Sequence, residues 1–286
     1  MSLGSTEFVI FAVMVVVVCL IARSLWFGGR RWDPSGWARA MGLELTPKNE
    51  GLVRSYLVRT RSLRLAGVIL GFATPHLWIA YQGEALPVPL DWDLIDALVG
   101  YLVGAVLAEL TISRPKADVP TASLEPRELG DYLPPVLTWV LRAAAGVCFA
   151  LVLLYHLLPA REPLENDLPP AIVIGSAILV VLIGVELLQR FIVGRPQPAV
   201  ERDVVQADNA IRSASVHALA GAGIALELIM ASVHIFGIGA VSEVQLVRWT
   251  LPWIALVCFV LALGSWARVA RPHKRLGWHS RHGVVA

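Results

Sequence analysis

One long apolar stretch, Ser213 to Val241, constrains the fold more than any other part of the chain. It is long enough to cross a bilayer, because a spanning helix needs about 20 apolar residues. Near its middle lies a carboxyl group, Glu227, and His234 follows seven residues later, almost on the same helix face. An ionisable group at membrane depth is costly and normally faces a bundle interior or a wet cavity. We therefore predict that this helix lies inside the fold.

Six further apolar segments have the length of a membrane span. The seven predicted spans cover residues 8–27, 65–81, 94–112, 136–158, 171–193, 214–238 and 249–269. Only 16% of the residues are charged, compared with about a quarter in a soluble domain, and the mean hydropathy is +0.65. The predicted fold class is therefore all-α: a polytopic transmembrane helix bundle that forms a single integral membrane domain over residues 1–286.

The distribution of Lys and Arg predicts the orientation of these spans. All but three of the 24 basic residues lie in or beside the connections that follow spans one, three, five and seven. The positive-inside rule places these connections in the cytoplasm. The amino terminus is then outside and the carboxyl terminus cytoplasmic, in a multi-pass protein of the cell membrane.

The first cytoplasmic connection, residues 28–64, is long enough to hold helical structure of its own. Apolar residues such as Val53, Tyr56 and Leu57 are interspersed with arginines, a pattern typical of a basic amphipathic helix. We predict that this helix contacts lipid of the inner leaflet; the alternative is that it docks a cytoplasmic partner. Residues 270–286 form a second basic cytoplasmic segment, the tail.

The cytoplasmic connections resemble one another weakly. Residues 43–57 and 123–133 both contain Leu-x-Pro, mixed charges and Tyr-Leu before a predicted span. This pattern suggests two-helix hairpin repeats, in which spans one to six form three parallel hairpins and the seventh is appended. Proline and charged residues also occur independently at many helix starts, and that explanation is favoured.

Two further ionisable residues lie inside predicted spans at similar depth, Arg142 in the fourth and Glu186 in the fifth. An ion pair between them would offset the cost of burying either charge. A structural pair is favoured over a gate in a transport path, and Arg190 competes for Glu186 at i,i+4 spacing. Glu109, near the inner end of the third span, is expected to reach the membrane interface.

Glu227 differs from these residues because no basic residue is predicted at its depth. Its carboxyl group must be protonated, face water or be hydrogen-bonded. A carboxyl group that gains and loses a proton is what a proton-coupled carrier requires, although close packing around a neutral Glu227 explains the sequence equally well. Glu227, His234, Glu186 and Arg142 are thus the candidate residues of a transport path.

Three histidines offer an alternative site. His76, His156 and His234 all fall in the outer halves of predicted spans, and imidazoles on different helices can ligate haem b or a metal ion. None belongs to a recognised spacing motif. Hydrogen-bonded structural histidines are therefore favoured, no cofactor or metal ion is predicted, and haem b is the alternative.

The absence of several well-known motifs from the sequence disfavours the classes of protein that depend on them. The sequence contains no Walker, Gly-x-Ser-x-Gly, His-Glu-x-x-His or Cys-x-x-Cys motif, so an enzymatic role is disfavoured. All three lysines lie in connections, which excludes a retinal protein with a Schiff-base lysine in its last span. The net charge of +2 does not indicate a nucleic-acid partner.

The function predicted from these observations is a permease, or a membrane subunit of a transport system, for a small solute or ion. The first alternative is a non-catalytic scaffold or accessory subunit that docks a partner through its basic connections. The second is a membrane redox protein with outer-side histidine ligands. The expected partners are membrane lipids, together with a partner membrane protein or a cytoplasmic ATPase, and the chain is compatible with an oligomer.

Overall fold

The computed structural model describes residues 33–81, 90–111, 127–157, 171–196 and 201–270. Within these residues the chain is 88% helical and contains no strand, which confirms the all-α class. The predicted first span, 8–27, lies outside the described residues, as do residues 271–286 of the tail.

Seven α-helices account for most of the described chain. They are α1 (Pro34–Met41), α2 (Glu50–Tyr81), α3 (Leu90–Thr111), α4 (Pro135–Leu157), α5 (Ala171–Gly194), α6 (Arg202–Val241) and α7 (Gln245–Val269), with a 3-10 turn (Leu129–Asp131) before α4. The helices α4 to α7 are long and apolar enough to cross a membrane, which indicates a membrane-embedded protein. The helices α2 and α3 include most of the second and third predicted spans. Their role as spans, the total of seven spans and the orientation of the termini stay predictions.

The helix α6 is the centre of the bundle. It packs against α2, α3, α4, α5 and α7. In its most apolar stretch 78% of the residues are buried inside the protein, compared with 28% in α4 and α5 and 17% in α7. The prediction that this stretch lies inside the fold is therefore confirmed. The outer surfaces of α4, α5 and α7 expose large apolar side chains, as expected for helices that face lipid.

A layer of protein covers one end of the bundle. The 40 residues of α6 span about 60 Å, twice the thickness of a bilayer core, so its first turns project beyond the apolar helices. The first turns of α2 run beside them, and α1 packs against both through a shared apolar cluster. We call residues 33–64, 127–134 and 201–213 the α1 layer, and the other end of the bundle the far end.

The α1 layer changes the interpretation of residues 50–64. This stretch is helical, as expected, but it continues into the rest of α2 without a break. Its apolar residues Val53, Tyr56 and Leu57 are buried against Trp37 of α1 and Ile211 of α6. They contact protein instead of lipid, because α1 and α6 occupy the same apolar face.

Polar contacts fix the loop before α2 to the start of α6. The Thr46 hydroxyl donates to the carboxylate of Asp203 at 2.6 Å, and the Asn49 side-chain amide donates to the carbonyl of Asp203 at 3.4 Å. Lys48 and Glu201 form an exposed ion pair at 2.7 Å. The hydrogen bond from Lys48 to Glu201, together with their opposite charges, raises the pKa of the lysine.

The most extensive helix–helix contacts join α2 to α3 and α6 to α7, which are consecutive antiparallel pairs. These pairs combine the second span with the third and the sixth with the seventh, so they do not follow the hairpin grouping suggested by the sequence. The α2–α3 pair is closest at Gly67 and Gly71, which face Gly100 and Gly104. A Cβ atom on Gly67 would overlap the backbone of Gly100. Two Gly-x-x-x-Gly motifs therefore bring these helices into backbone contact.

Candidate functional site

Glu227 lies at the centre of the bundle, on α6, and is completely buried. Neither of its carboxyl oxygens has a hydrogen-bond partner. Among the ion pairs of the described residues none includes it. The buried thiol of Cys148 on α4 lies close enough to interact electrostatically with the carboxyl group. Glu227 is therefore a buried ionisable group that has neither a hydrogen bond nor an ion pair with the described residues.

The side chain of Glu227 belongs to the face of α6 that packs against α4 and α5. One turn earlier on this face, Gly223 contacts Leu141 of α4 and Val185 of α5. One turn later, Ala231 lies in a buried cluster with Cys148 of α4 and Ile178 of α5. We call this contact region, where α4, α5 and α6 meet, the α4–α5–α6 seam.

His234 lies at the far-end side of the same seam. Its Nδ1 is 2.7 Å from the carbonyl oxygen of Met230, and its buried Nε2 has no hydrogen-bond partner. Because a carbonyl oxygen only accepts, Nδ1 carries the hydrogen and Nε2 of the neutral ring presents a lone pair. The ring of Tyr155 on α4 meets the His234 ring edge-on, with centroids 6.2 Å apart. This tyrosine also contacts His156 at 5.3 Å.

His156 repeats the arrangement of His234. Its Nδ1 is 2.9 Å from the carbonyl oxygen of Val152, so its Nε2 is again the nitrogen with a lone pair. The residue is exposed next to the last residue of α4, at the far end. The structure therefore brings two of the three sequence-predicted histidines close together. It places His76 on α2, but the described side chains do not include that residue.

The described residues contain no group of three His, Cys, Asp or Glu side chains that could hold a metal ion. His156 and His234 each have one ring nitrogen fixed by a backbone carbonyl, an arrangement that is also common around metal-ligating histidines. Haem b or metal binding by these histidines stays a hypothesis, and an absorption spectrum of the purified protein tests the haem version.

Arg142 and Glu186 form the ion pair that their depth in the sequence predicted. The Arg142 guanidinium donates to both carboxylate oxygens, at 2.6 and 3.0 Å, and Arg190 approaches the same carboxylate at 3.6 Å. The Arg142 side chain is 40% exposed and lies over the ring of Trp139. This pair is thus on the outer surface of α4 and α5, whereas the neighbouring residue Leu141 faces the seam and Gly223.

Comparison with known proteins identifies no relative of this chain. No protein-family model matches the chain. No curated protein and no solved structure matches it either. The chemistry of the site is therefore inferred from the residues of this chain alone.

A second buried polar group, which the sequence reasoning missed, joins the bundle to the α1 layer. The Glu109 side chain is completely buried and lies 3.3 Å from the guanidinium of Arg195, just beyond α5. The expectation that Glu109 reaches the interface is therefore wrong, because a buried arginine meets it inside the protein. Arg212 of α6 is also buried and binds Asp208 at 2.8 Å.

The available signal for this group was an arginine within three residues of a predicted span end. Arg195 and Arg212 both meet that description, but the positive-inside rule uses them only as evidence of orientation. Positive-inside counting does not distinguish an arginine that contacts lipid headgroups from one that closes a helix end. The distinction depends on which helices are neighbours, and the connection lengths alone do not determine that.

Proposed function

We propose that this membrane protein moves a small solute or ion across the bilayer, and that Glu227 carries a proton during that movement. The observation that supports the proposal is the complete burial of an unpartnered carboxyl group at the centre of the bundle. Ionisable residues inside membrane helices commonly mark ion pathways and proton relays. The conformation described here holds the carboxyl group away from water, as a closed intermediate of such a cycle would.

The contribution of Glu227 to stability does not account for its presence. Burying a polar group without a hydrogen bond costs about 1–3 kcal/mol in proteins. An apolar side chain of similar size would fill the same space between Gly223 and Ala231 without that cost. A role in which the carboxyl group changes its protonation state explains why an acidic residue occupies this position.

We expect Glu227→Gln to abolish proton-coupled transport while leaving the fold intact. Glutamine has nearly the same shape as the protonated acid, but its amide does not gain or lose a proton near neutral pH, so it should occupy the same space without carrying a proton. Glu227→Leu should also abolish transport while preserving or raising stability, because it removes the buried polar atoms. The measurement is solute-driven proton flux into proteoliposomes, followed with an internal pH dye over a panel of solutes.

The outer ion pair provides the matched control. The double variant Arg142→Met with Glu186→Leu removes a carboxylate and its ion-pair partner from α5 and α4, the two helices that pack against α6 at the seam. Both residues lie on the surface that does not face the seam. Replacing both partners leaves only Arg190 without its long contact to Glu186, and that arginine is 66% exposed, so the variant should fold. We expect its solute-driven proton flux to equal that of the unmodified protein. A flux that survives Glu227→Gln, or that disappears equally in this double variant, would contradict the assignment of the path to Glu227.

A second candidate function is that of an accessory subunit. The observation that favours it is the α1 layer, which is a packed unit with its own apolar cluster and presents a surface beyond the bundle. Affinity isolation from native membranes in mild detergent tests this function. A stoichiometric membrane partner or ATPase that is lost when the exposed Arg54 of this layer becomes Glu would favour the subunit over the self-contained carrier.

A further inference from the structure

We infer that Glu227 exchanges its proton with the far end of the bundle, by way of His234 and His156, and is closed toward the α1 layer. The inference rests on the proposed function and adds the side from which the proton enters. It depends on the order of polar and apolar groups along the seam.

Toward the far end, the seam carries groups that can accept and donate protons. His234 lies two turns beyond Glu227, about 10 Å along the axis of α6. Its buried Nε2 has a lone pair and no partner, so it can accept a proton from a water molecule admitted into the seam. This distance is too long for a direct hydrogen bond, so transfer requires water between the two side chains.

From His234 the series continues to the surface. The Tyr155 ring lies against both imidazoles, at 6.2 Å from His234 and 5.3 Å from His156. His156 is exposed at the end of α4, and its Nε2 likewise presents a lone pair. An imidazole takes up and releases protons near neutral pH, which suits a relay of this kind.

Toward the α1 layer, the same face of α6 carries only apolar residues for almost three turns. Gly223 is closed by Leu141 and Val185, and before it Ala220 and Val216 are buried in the main apolar cluster. One polar side chain of α5 reaches this face: the buried amide of Gln189 donates to the carbonyl of Val216 at 3.2 Å, and an amide does not gain or lose a proton near neutral pH. Along this described face the titratable imidazoles therefore lie only on the far-end side of Glu227.

The titratable groups that face this seam come from α4. Cys148 lies near Glu227, and Tyr155 and His156 lie near His234. The described contacts of α5 with this face include no titratable group: they are Val185, the cluster that contains Ile178, and the amide of Gln189 on the carbonyl of Val216. The contact of α7 with this end of α6 is also apolar: Leu251 lies against Gly239.

The experiment uses the full chain in proteoliposomes of determined orientation, with the pH on each side set independently. Dicyclohexylcarbodiimide reacts with protonated carboxyl groups in apolar surroundings, and mass spectrometry of the peptide containing Glu227 measures the modified fraction. We expect this modified fraction to rise as the pH on the far-end side is lowered, and not to depend on the pH on the α1 side. His156→Leu, at an exposed position, and His234→Leu should each weaken the response.

His217→Leu is the matched control, because His217 also bonds a carbonyl of its own helix but lies between Glu227 and the α1 layer. We expect this variant to respond to pH as the unmodified protein does. A labelled fraction that follows the pH on the α1 side, or one that is unchanged in both His156→Leu and His234→Leu, overturns the inference and leaves the proposed function intact. If the modified fraction depends on the pH of neither side, or if Glu227 is not labelled at any pH, the proposed function is overturned as well. The two-sided measurement on the unmodified protein decides the direction even where a histidine variant fails to fold.

Discussion

Replacing Arg212 with methionine is expected to lower the free energy of unfolding by about 3–5 kcal/mol, the usual effect of removing one partner of a buried ion pair. The Arg212 side chain is only 2% exposed, and its partner Asp208 is 13% exposed. Methionine preserves much of the length and apolar stem of arginine, so the loss comes from the guanidinium and not from an empty space.

The guanidinium of Arg212 also closes the end of a neighbouring helix. Its Nη1 donates to the carbonyl oxygens of Ile192 at 3.0 Å, Val193 at 3.0 Å and Arg195 at 2.8 Å. The last carbonyls of a helix have no partner within it and carry the negative end of the helix dipole. A positive group with several donors therefore satisfies the end of α5. Its removal takes away the guanidinium donor of all three carbonyls, and Ile192 keeps only a longer bond from Arg195 Nε at 3.4 Å.

Arg190→Met is the control for this prediction. Arg190 lies on α5, close to the same helix end, but its side chain is 66% exposed and its contact with Glu186 is long at 3.6 Å. We expect a change of no more than about 0.5 kcal/mol for this variant. The measurement is reversible unfolding by SDS in mixed micelles, followed by circular dichroism. Equal destabilisation by both variants would contradict the capping role of Arg212.

Arg212→Lys refines the test. Lysine keeps the positive charge but replaces five donors in a planar fork by three on a compact ammonium group, so it cannot bind Asp208 and three carbonyls together. We expect its stability to fall between that of the unmodified protein and that of Arg212→Met. Full recovery with lysine would show that the charge alone stabilises this helix end.

The features that the sequence predicted correctly depend on how deep each ionisable residue lies within its own predicted span. The central position of α6 follows from Glu227, because one unpaired carboxyl group in a long apolar run must avoid lipid. The ion pair of Arg142 with Glu186 follows from two opposite charges at the same depth on consecutive spans. Both inferences need only the length of a helix and the thickness of a bilayer.

The features that were missed depend on which helices are neighbours. Val53 and Tyr56 form an apolar face that lipid or protein could cover equally well, and the choice of protein requires that α1 and α6 lie beside it. Glu109 of α3 contacts Arg195, which lies 86 positions later in the sequence, just beyond α5. The spacing of apolar residues along one helix does not show which other helices lie beside it. Such contacts can therefore be recognised only in the folded structure.

The glycines of α2 and α3 did leave a local signal, since Gly67 with Gly71 and Gly100 with Gly104 are both Gly-x-x-x-Gly motifs within predicted spans. The structure shows that these motifs allow the backbones of α2 and α3 to come into contact. A Cβ on Gly100 would overlap the carbonyl oxygen of Gly67 and lie 2.9 Å from its carbonyl carbon. Such an atom fits only if the two backbones separate, because neither contact involves a side chain that can rotate away.

Gly100→Ala is therefore expected to destabilise the protein by about 1–3 kcal/mol, as overpacking of a close contact does, even though alanine favours a helix. Gly184→Ala is the control: a Cβ on Gly184 of α5 meets nothing within 4 Å, so this variant should keep or raise stability by up to about 1 kcal/mol. The same SDS unfolding assay compares them. The double variant Gly67→Ala with Gly100→Ala should lose less than the sum of the single losses, because one separation of the helices relieves both overlaps. Equal stability of Gly100→Ala and Gly184→Ala would mean that α2 and α3 are not in backbone contact.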